Sequence, residues 1–213
     1  LCVGTPTEGL SGPDLRHVHA VADAVGAARR DISGHIAVAI RSTVPPGTVA
    51  AVAERLAGHL PAGAFGVAAN PEFLREGTAV ADFLEPPFTV IGTDDDRAHA
   101  SLARLYEGIR APLHRTSVGV AELMKYACNS YHALKVAFAN EMGTACRLSG
   151  VDGQELMRLF CEDTTLNVSA AYLRPGAPYG GSCLPKDVRA LDHLFRLAGA
   201  RAPLAAAIEA SNH

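Results

Sequence analysis

Over its first half the chain alternates short apolar runs with longer stretches of helical periodicity. Residues 1–3 (LCV) read as the end of a buried strand, and residues 14–30 as a helix with Asp14 as its cap. Residues 36–41 (IAVAIR) form a short apolar strand, and residues 47–60 a second helix. Two more strands are expected at 65–69 (FGVAA) and 88–92 (FTVIG). Residues 95–110 read as a helix whose acidic start suits the helix dipole, and 112–116 as a last strand. Such alternation predicts a parallel sheet with helices on both faces.

The second half changes character. From Val118 to Leu148 no proline intervenes, and apolar residues recur at Val120, Met124, Ala127, Tyr131, Leu134, Phe138, Met142 and Ala145. Steps of three and four define one helical stripe on a helix of about 30 residues, roughly 45 Å long. Further helix is expected at 152–162 and 185–199, with a polar, Gly/Pro-rich loop at 163–184.

Composition narrows the function. The 213 residues are 48% hydrophobic and 19% charged with a net charge of −3, so there is no basic footprint for nucleic acid or an anionic membrane. No apolar run reaches the ~18 residues of a membrane span. The five cysteines, Cys2, Cys128, Cys146, Cys161 and Cys183, are odd in number and include no C-x-x-C pair. That argues against a disulfide framework or a zinc site and for reduced, cytoplasmic thiols. The opening on a strand end without an initiator Met suggests a piece of a longer polypeptide.

Four stretches can carry chemistry. VGTPT (3–7) and RSTVPPGT (41–48) each follow a strand end, where open parallel sheets bind ligands. Thr5, Ser42 and Thr43 are placed to bond a nucleotide or substrate, or else simply to cap the next helix. In NPEFLREGTA (70–79), Glu72 and Glu76 would share a face if the segment is helical, with Arg75 between them. Paired carboxylates can divide acid and base work; they can equally mark an exposed helix start. On the long helix Lys125 and Asn129 are one turn apart, with His132 almost one turn further. Charge plus directional donors can stabilise an alkoxide, and the same pattern also fits a solvated face. In GGSCLPKD (180–187), Pro185 suits a first helical turn, which puts Cys183 at a helix N-terminus with Lys186 nearby. Both features favour a thiolate nucleophile, and Asp187 stands one turn on, placed to orient a water or a lysine. Cys128, Cys146 and Cys161 sit in helical patterns among apolar neighbours and read as structural.

These stretches, in this order, resemble the UDP-glucose/GDP-mannose dehydrogenase family across essentially the whole chain: VGTP, RSTVPPGT, NPEFLREGTA, AELMKYACN, FANE and GGSCLPKD. Within it KYACNSYHALKVAFANEMG, TLNVSAAYLRPGAPYGGSCLPKDVRAL and PPFTVIG look most like the GDP-mannose 6-dehydrogenases; UDP-glucose enzymes usually carry an aromatic where this chain has Ser182. The resemblance implies an α/β fold: the later half of a doubly wound, Rossmann-like parallel sheet over 1–117. An all-α central dimerisation domain over 118–213 follows, with a long connecting helix. It also implies an NAD-dependent, four-electron oxidation of the C6 alcohol of a nucleotide sugar through a cysteine thioester, commonly feeding acidic exopolysaccharides. No metal is implied.

By the same resemblance Cys183 is the nucleophile, and Lys125 and Asn129 stabilise the oxyanion and contact substrate. Asp187 positions a water that Thr43 and Glu76 hold near the nicotinamide, and Glu72 is a candidate acid/base. Thr5, Ser42, Thr43, Glu76 and Lys186 help bind NAD, while Phe73, Leu74, Arg75, Tyr172 and Arg174 face the sugar nucleotide. Homodimerisation through the central helices is expected. The family's glycine-rich NAD turn and its last α/β domain have no counterpart in this sequence. A two-electron β-hydroxyacid dehydrogenase, which needs no cysteine, is the alternative enzyme. A non-catalytic dimerisation or sugar-nucleotide-binding module is the alternative outside enzymology.

Overall fold

The computed structural model describes residues 1–7, 12–31, 33–173 and 175–212. It divides into two compact units, Leu1–Asn129 and Ser130–His213.

In the first unit the elements run α1 (Arg16–Arg29), β1 (Ile36–Ile40), α2 (Thr48–Ala57), β2 (Phe65–Ala69), α3 (Ala79–Leu84), β3 (Thr89–Gly92), α4 (Asp96–Leu105) and β4 (Leu113–Thr116). They end in the opening turns of α5 (Val118–Ser149). The sheet order is β1-β2-β3-β4. Strand residues alternate between two cores, as a period of two requires. Val38, Ile40, Val67, Ala69 and Val90 pack with Val18 and Ala22 of α1, Val49, Val52 and Leu56 of α2, and Ala121 of α5. Ala68 and Ile91 face the other way, onto Leu102 of α4, with Ala39 and Tyr106 beside them. Both sheet faces are therefore covered by helices, which is why the strands read as continuous apolar runs. Residues 1–3, expected as a strand end, are not a strand of this sheet, but Leu1 bonds along β1: its nitrogen donates to the Ala39 carbonyl, and its carbonyl accepts from Arg41 N at 2.9 Å.

One pairing departs from the parallel pattern. β1–β2 and β3–β4 are parallel, but β2 meets β3 antiparallel, through Ala69↔Gly92. A parallel neighbour requires a crossover helix packed across the sheet. The 70–88 connection contains only α3, six residues with none buried. The chain stays at the edge where β2 ends, so β3 starts there and runs back.

Local chemistry sets the helix ends. Asp95 caps α4 by accepting from Ala98 N at 2.7 Å, as its acidic start predicts. Asp14 lies one residue before the N-cap, Leu15, yet its carboxylate still takes a helix-start amide, accepting from Arg16 N at 2.9 Å, and it also pairs with the Arg16 guanidinium. The 70–79 segment is not helical before Ala79, so Glu72 and Glu76 share no helix face.

The second unit continues α5 and adds α6 (Gly153–Glu162), α7 (Leu184–Leu197) and α8 (Pro203–Ser211). Its core is small: Ala145, Phe195, Ala202 and Ala205, flanked by Val188, Leu191 and Ala200. Much of the expected stripe on α5 stays uncovered, with Val120, Tyr131 and Leu134 exposed. Among the described residues no helix is long and apolar enough to cross a membrane.

Candidate active site

At the carboxyl end of β1 the chain turns through Ser42, Thr43 and Val44 into Pro45-Pro46-Gly47. The Ser42 hydroxyl accepts from Val3 N at 2.9 Å and donates to Val3 O at 2.7 Å. Thr5 Oγ1 donates to Thr43 O at 3.0 Å. Ser42 and Thr43 therefore do not cap α2, whose N-cap is Gly47 with no side-chain bond. They join residues 3–5 to the loop after β1, on the ligand edge of the sheet. Beside Thr5 a pocket is walled by Val3, Gly4, Pro6, His17, Ala20 and Val21. Its apolar walls fit the face of a ring, and Thr5 and His17 are the polar side chains among its described lining. That described lining carries no glycine-rich turn for a pyrophosphate.

The 70–78 segment is fixed by a buried polar knot. Arg41 Nη1 donates to Asn70 Oδ1 (3.1 Å), Asn70 O (3.1 Å) and Tyr106 OH (2.9 Å). The Tyr106 hydroxyl donates to Asn70 Oδ1 at 2.6 Å, and Asn70 Nδ2 donates to Val90 O at 2.8 Å. Asn70 is fully buried, so each of these bonds replaces one it would make to water. The knot holds Glu72 and Phe73 beside α5. Phe73 packs edge-on against Phe88 with centroids 5.1 Å apart. Glu76 is exposed. Arg75 turns to Asp82, which takes its Nε, Nη2 and backbone N as well as the Thr78 hydroxyl. Those bonds, the Arg75 side chain's first among them, hold the Asp82 carboxyl far below the usual carboxylate range.

Lys125 is the centre of the arrangement. It is only 8% exposed, so the solvated-face reading fails for it. Its ammonium lies 2.9 Å from Glu72 Oε1 and 5.9 Å from the Phe73 ring centroid. Glu72 Oε2 also accepts from Leu74 N at 2.6 Å. Burial pushes the Glu72 carboxyl up, but the Lys125 bond, the Leu74 amide and the Lys125 and Arg41 charges outweigh it, leaving it below its ordinary value. Asn129 and His132 are exposed. The helical face that periodicity marks as polar thus carries the buried side of this turn: Ala121, Glu122 and Lys125.

Glu122 escapes the sequence reading. It is 4% exposed, and its two oxygens accept from Gly47 N (2.9 Å) and Val49 N (2.8 Å). The available cues are its place one turn before Lys125 and an α2 start without a capping side chain; neither names the partner.

In the second unit, Cys183 is the N-cap residue of α7, exposed, with a proline in the helix's first turn. Its carbonyl accepts from Asp187 N at 2.9 Å, and its sulfur lies 3.7 Å from Ser182 Oγ. Lys186 and Asp187 pair with each other at 3.2 Å, both exposed. Gly181 has φ of +81°, a conformation that the turn into α7 requires and L residues resist. Tyr179 exchanges backbone bonds with the Asn212 amide (2.7 and 2.9 Å), tethering the segment to the end of α8. Tyr172 is exposed with φ of +61°. Arg174 lies outside the described residues.

A model of the NAD-binding domain of the UDP-glucose/GDP-mannose dehydrogenase family matches residues 1–110, and one of that family's central domain matches residues 119–213. The whole chain is 46% identical to a GDP-mannose 6-dehydrogenase of Azotobacter vinelandii, covering half of it. It is 38% identical to a UDP-glucose 6-dehydrogenase of Rickettsia conorii, over 91% of the chain and 44% of that protein. A crystal structure of a ternary complex of GDP-mannose dehydrogenase from Pseudomonas aeruginosa superimposes with a TM-score of 0.94 at 44% identity, over 99% of this chain and 49% of that one. The chain thus spans about half the length of the relatives it matches.

Proposed function

This chain belongs to the UDP-glucose/GDP-mannose dehydrogenase family, and from that premise we propose that it is the part of a GDP-mannose 6-dehydrogenase that carries its reactive side chains. The reaction takes the C6 alcohol of GDP-mannose to a carboxylate, a four-electron oxidation. The observation that carries this reading is the buried Lys125, held by Glu72 at 2.9 Å at the ligand edge of an NAD-binding sheet.

NAD⁺, when bound, accepts a hydride at each of two steps. Thr5, Ser42 and Lys186 would help hold it, with Thr43 and Glu76 near its nicotinamide. Lys125 and Asn129 donate hydrogen bonds to the C6 oxygen while it carries negative charge; a cation held out of water does this better than one in bulk solvent. Glu72, kept ionised by Lys125, accepts the alcohol proton. The Cys183 sulfur bonds to C6 at the aldehyde level, and the carbonyl electron pair moves onto oxygen. At the thioester level the sulfur becomes the leaving group. The water that displaces it is positioned by Asp187, Thr43 and Glu76. Covalent capture keeps the aldehyde from escaping. By the family resemblance, Phe73, Leu74, Arg75, Tyr172 and Arg174 would bind the sugar nucleotide. The residues from 118 onward form the dimerisation domain, and the exposed apolar stripe on α5 supports pairing with a second copy. Five free thiols support a reducing, cytoplasmic setting.

The test is turnover of the full-length protein with NAD⁺ and GDP-mannose, then UDP-glucose, following NADH and product mass. Two NADH per sugar acid with GDP-mannose is expected. Two per sugar with UDP-glucose alone would move the substrate to a UDP-sugar. One NADH per sugar would replace the cysteine route by a two-electron oxidation, and none with either would leave a binding module.

A further inference from the structure

We propose that Glu122 is a positioning residue: through two backbone amides it fixes the 43–49 loop, and with it Thr43, against the helical turn that carries Lys125. The proposal rests on the functional reading above, in which Thr43 holds the hydrolytic water.

A carboxylate with 4% exposure is costly unless fixed donors replace its water. Here Gly47 N and Val49 N do so, helped by the positive end of α2. Closing the start of α2 needs no such long reach, because a Ser or Asn at the N-cap would bond locally. Instead the cap comes from α5, so it couples two elements far apart in sequence. Gly47 has φ of +96°, and Pro45 and Pro46 precede it with their own φ locked. Thr48 Oγ1 adds a bond to Pro45 O at 2.7 Å. A loop this stiff passes a constraint at Gly47 back to Thr43. On α5, Glu122 and Lys125 are three residues apart and leave the same face. Ser42, Thr43, Glu122 and Lys125 line one small pocket, floored by Ile40 and Ala121. Glu122 therefore sets the spacing between the Thr43 hydroxyl and the Lys125 turn.

The experiment compares full-length wild type with Glu122→Gln, Thr43→Ala, the double variant, and Asp95→Asn. A carboxamide accepts one amide and turns an N–H₂ toward the other. Asp95→Asn is the control, because it removes the negative charge at the start of α4, away from this loop. Two readouts are taken: amide hydrogen exchange over 43–49, and kcat and KM with the nucleotide sugar. Glu122→Gln should speed exchange of that segment and lower kcat by about tenfold or more, with KM changed less than about twofold. Asp95→Asn should lower Tm without lowering kcat. In the Thr43→Ala background Glu122→Gln should cost little more, because it acts through Thr43. Unchanged exchange, unchanged kcat, or losses that multiply independently in the double variant would each overturn the proposal. A wild type without turnover would sink the reading of the previous subsection, while the exchange result still decides whether the clamp exists.

Discussion

Gly92 and Ala121 meet so closely that a Cβ built on Gly92 would lie 2.4 Å from the Ala121 Cβ, and 3.0 Å from Ser117 O. The end of β3 thereby seats the first turn of α5, one turn ahead of Lys125. A methyl group there must push the helix off the sheet. Gly92→Ala should cost about 1–3 kcal/mol through overpacking, read as a lower Tm. Adding Ala121→Gly should recover part of that loss, since the two side chains compete for one space. No recovery would show that the clash is with the Ser117–Val118 backbone instead.

Removing the Lys125 cation should hurt both fold and turnover. Lys125→Met leaves the Glu72 carboxylate half-buried with only the Leu74 amide as partner, at a cost of about 1–3 kcal/mol for the lost bond. With the oxyanion's charged donor gone, kcat should fall by about 10²-fold or more. Urea denaturation and steady-state kinetics on the full-length protein separate the two effects. A variant with normal kcat would remove Lys125 from the chemistry.

The Glu72–Lys125 pair carries a pH signature. The folded Glu72 carboxyl lies below its unperturbed value of 4.5, because the Lys125 and Leu74 bonds outweigh the burial that raises it. A depressed folded pKa contributes stability that is complete above the unfolded value and is lost as pH falls through the folded one. Wild type should therefore exceed Glu72→Gln in Tm at neutral pH. The gap should shrink as pH drops below 4.5 and close beneath the folded pKa. A gap independent of pH would mean that packing, not charge, makes the difference.

Cys183→Ser separates the two halves of the oxidation. A serine alkoxide forms poorly at neutral pH and makes an ester where cysteine makes a thioester. Carboxylate formation should fall by about 10³-fold or more, leaving at most one NADH per sugar in a single turnover. Undiminished two-NADH stoichiometry would rule the covalent route out.

The uncovered stripe of α5 predicts association. Tyr131 and Leu134 are exposed at 37% and 45%, an apolar surface that costs free energy in water. Leu134→Asp should shift the full-length protein toward monomer in size-exclusion with light scattering at micromolar concentration. A wild type that is already monomeric there would count against the dimer.

The strands and helices were legible in sequence because each depends on neighbours a few residues away. β2 at Phe65–Ala69 coincides with its apolar run, and α6 and α7 begin within one residue of the expected positions. The placement of Cys183 at a helix N-terminus was legible for the same reason: Pro185 is a local signal. The 70–78 segment was harder. Its carboxylates suggested a helical pair, but Arg41, Asn70 and Tyr106 hold its start in a non-helical path through contacts spanning up to 65 residues.

By itself, then, the amino-acid order determined the alternation of elements, the long helix and the family to which the motifs belong, all of which rest on short-range periodicity or on motif order. Only the tertiary structure decided that β3 runs against β2, that Lys125 is buried and paired, and that Glu122 closes the start of α2. Each of those depends on which distant backbone or side chain shares the same space. A polar residue on a helix looks the same in sequence whether water or a folded partner faces it; here Glu72 reaches Lys125, and the Gly47 and Val49 amides reach Glu122, only once the sheet has brought its strand ends beside α5.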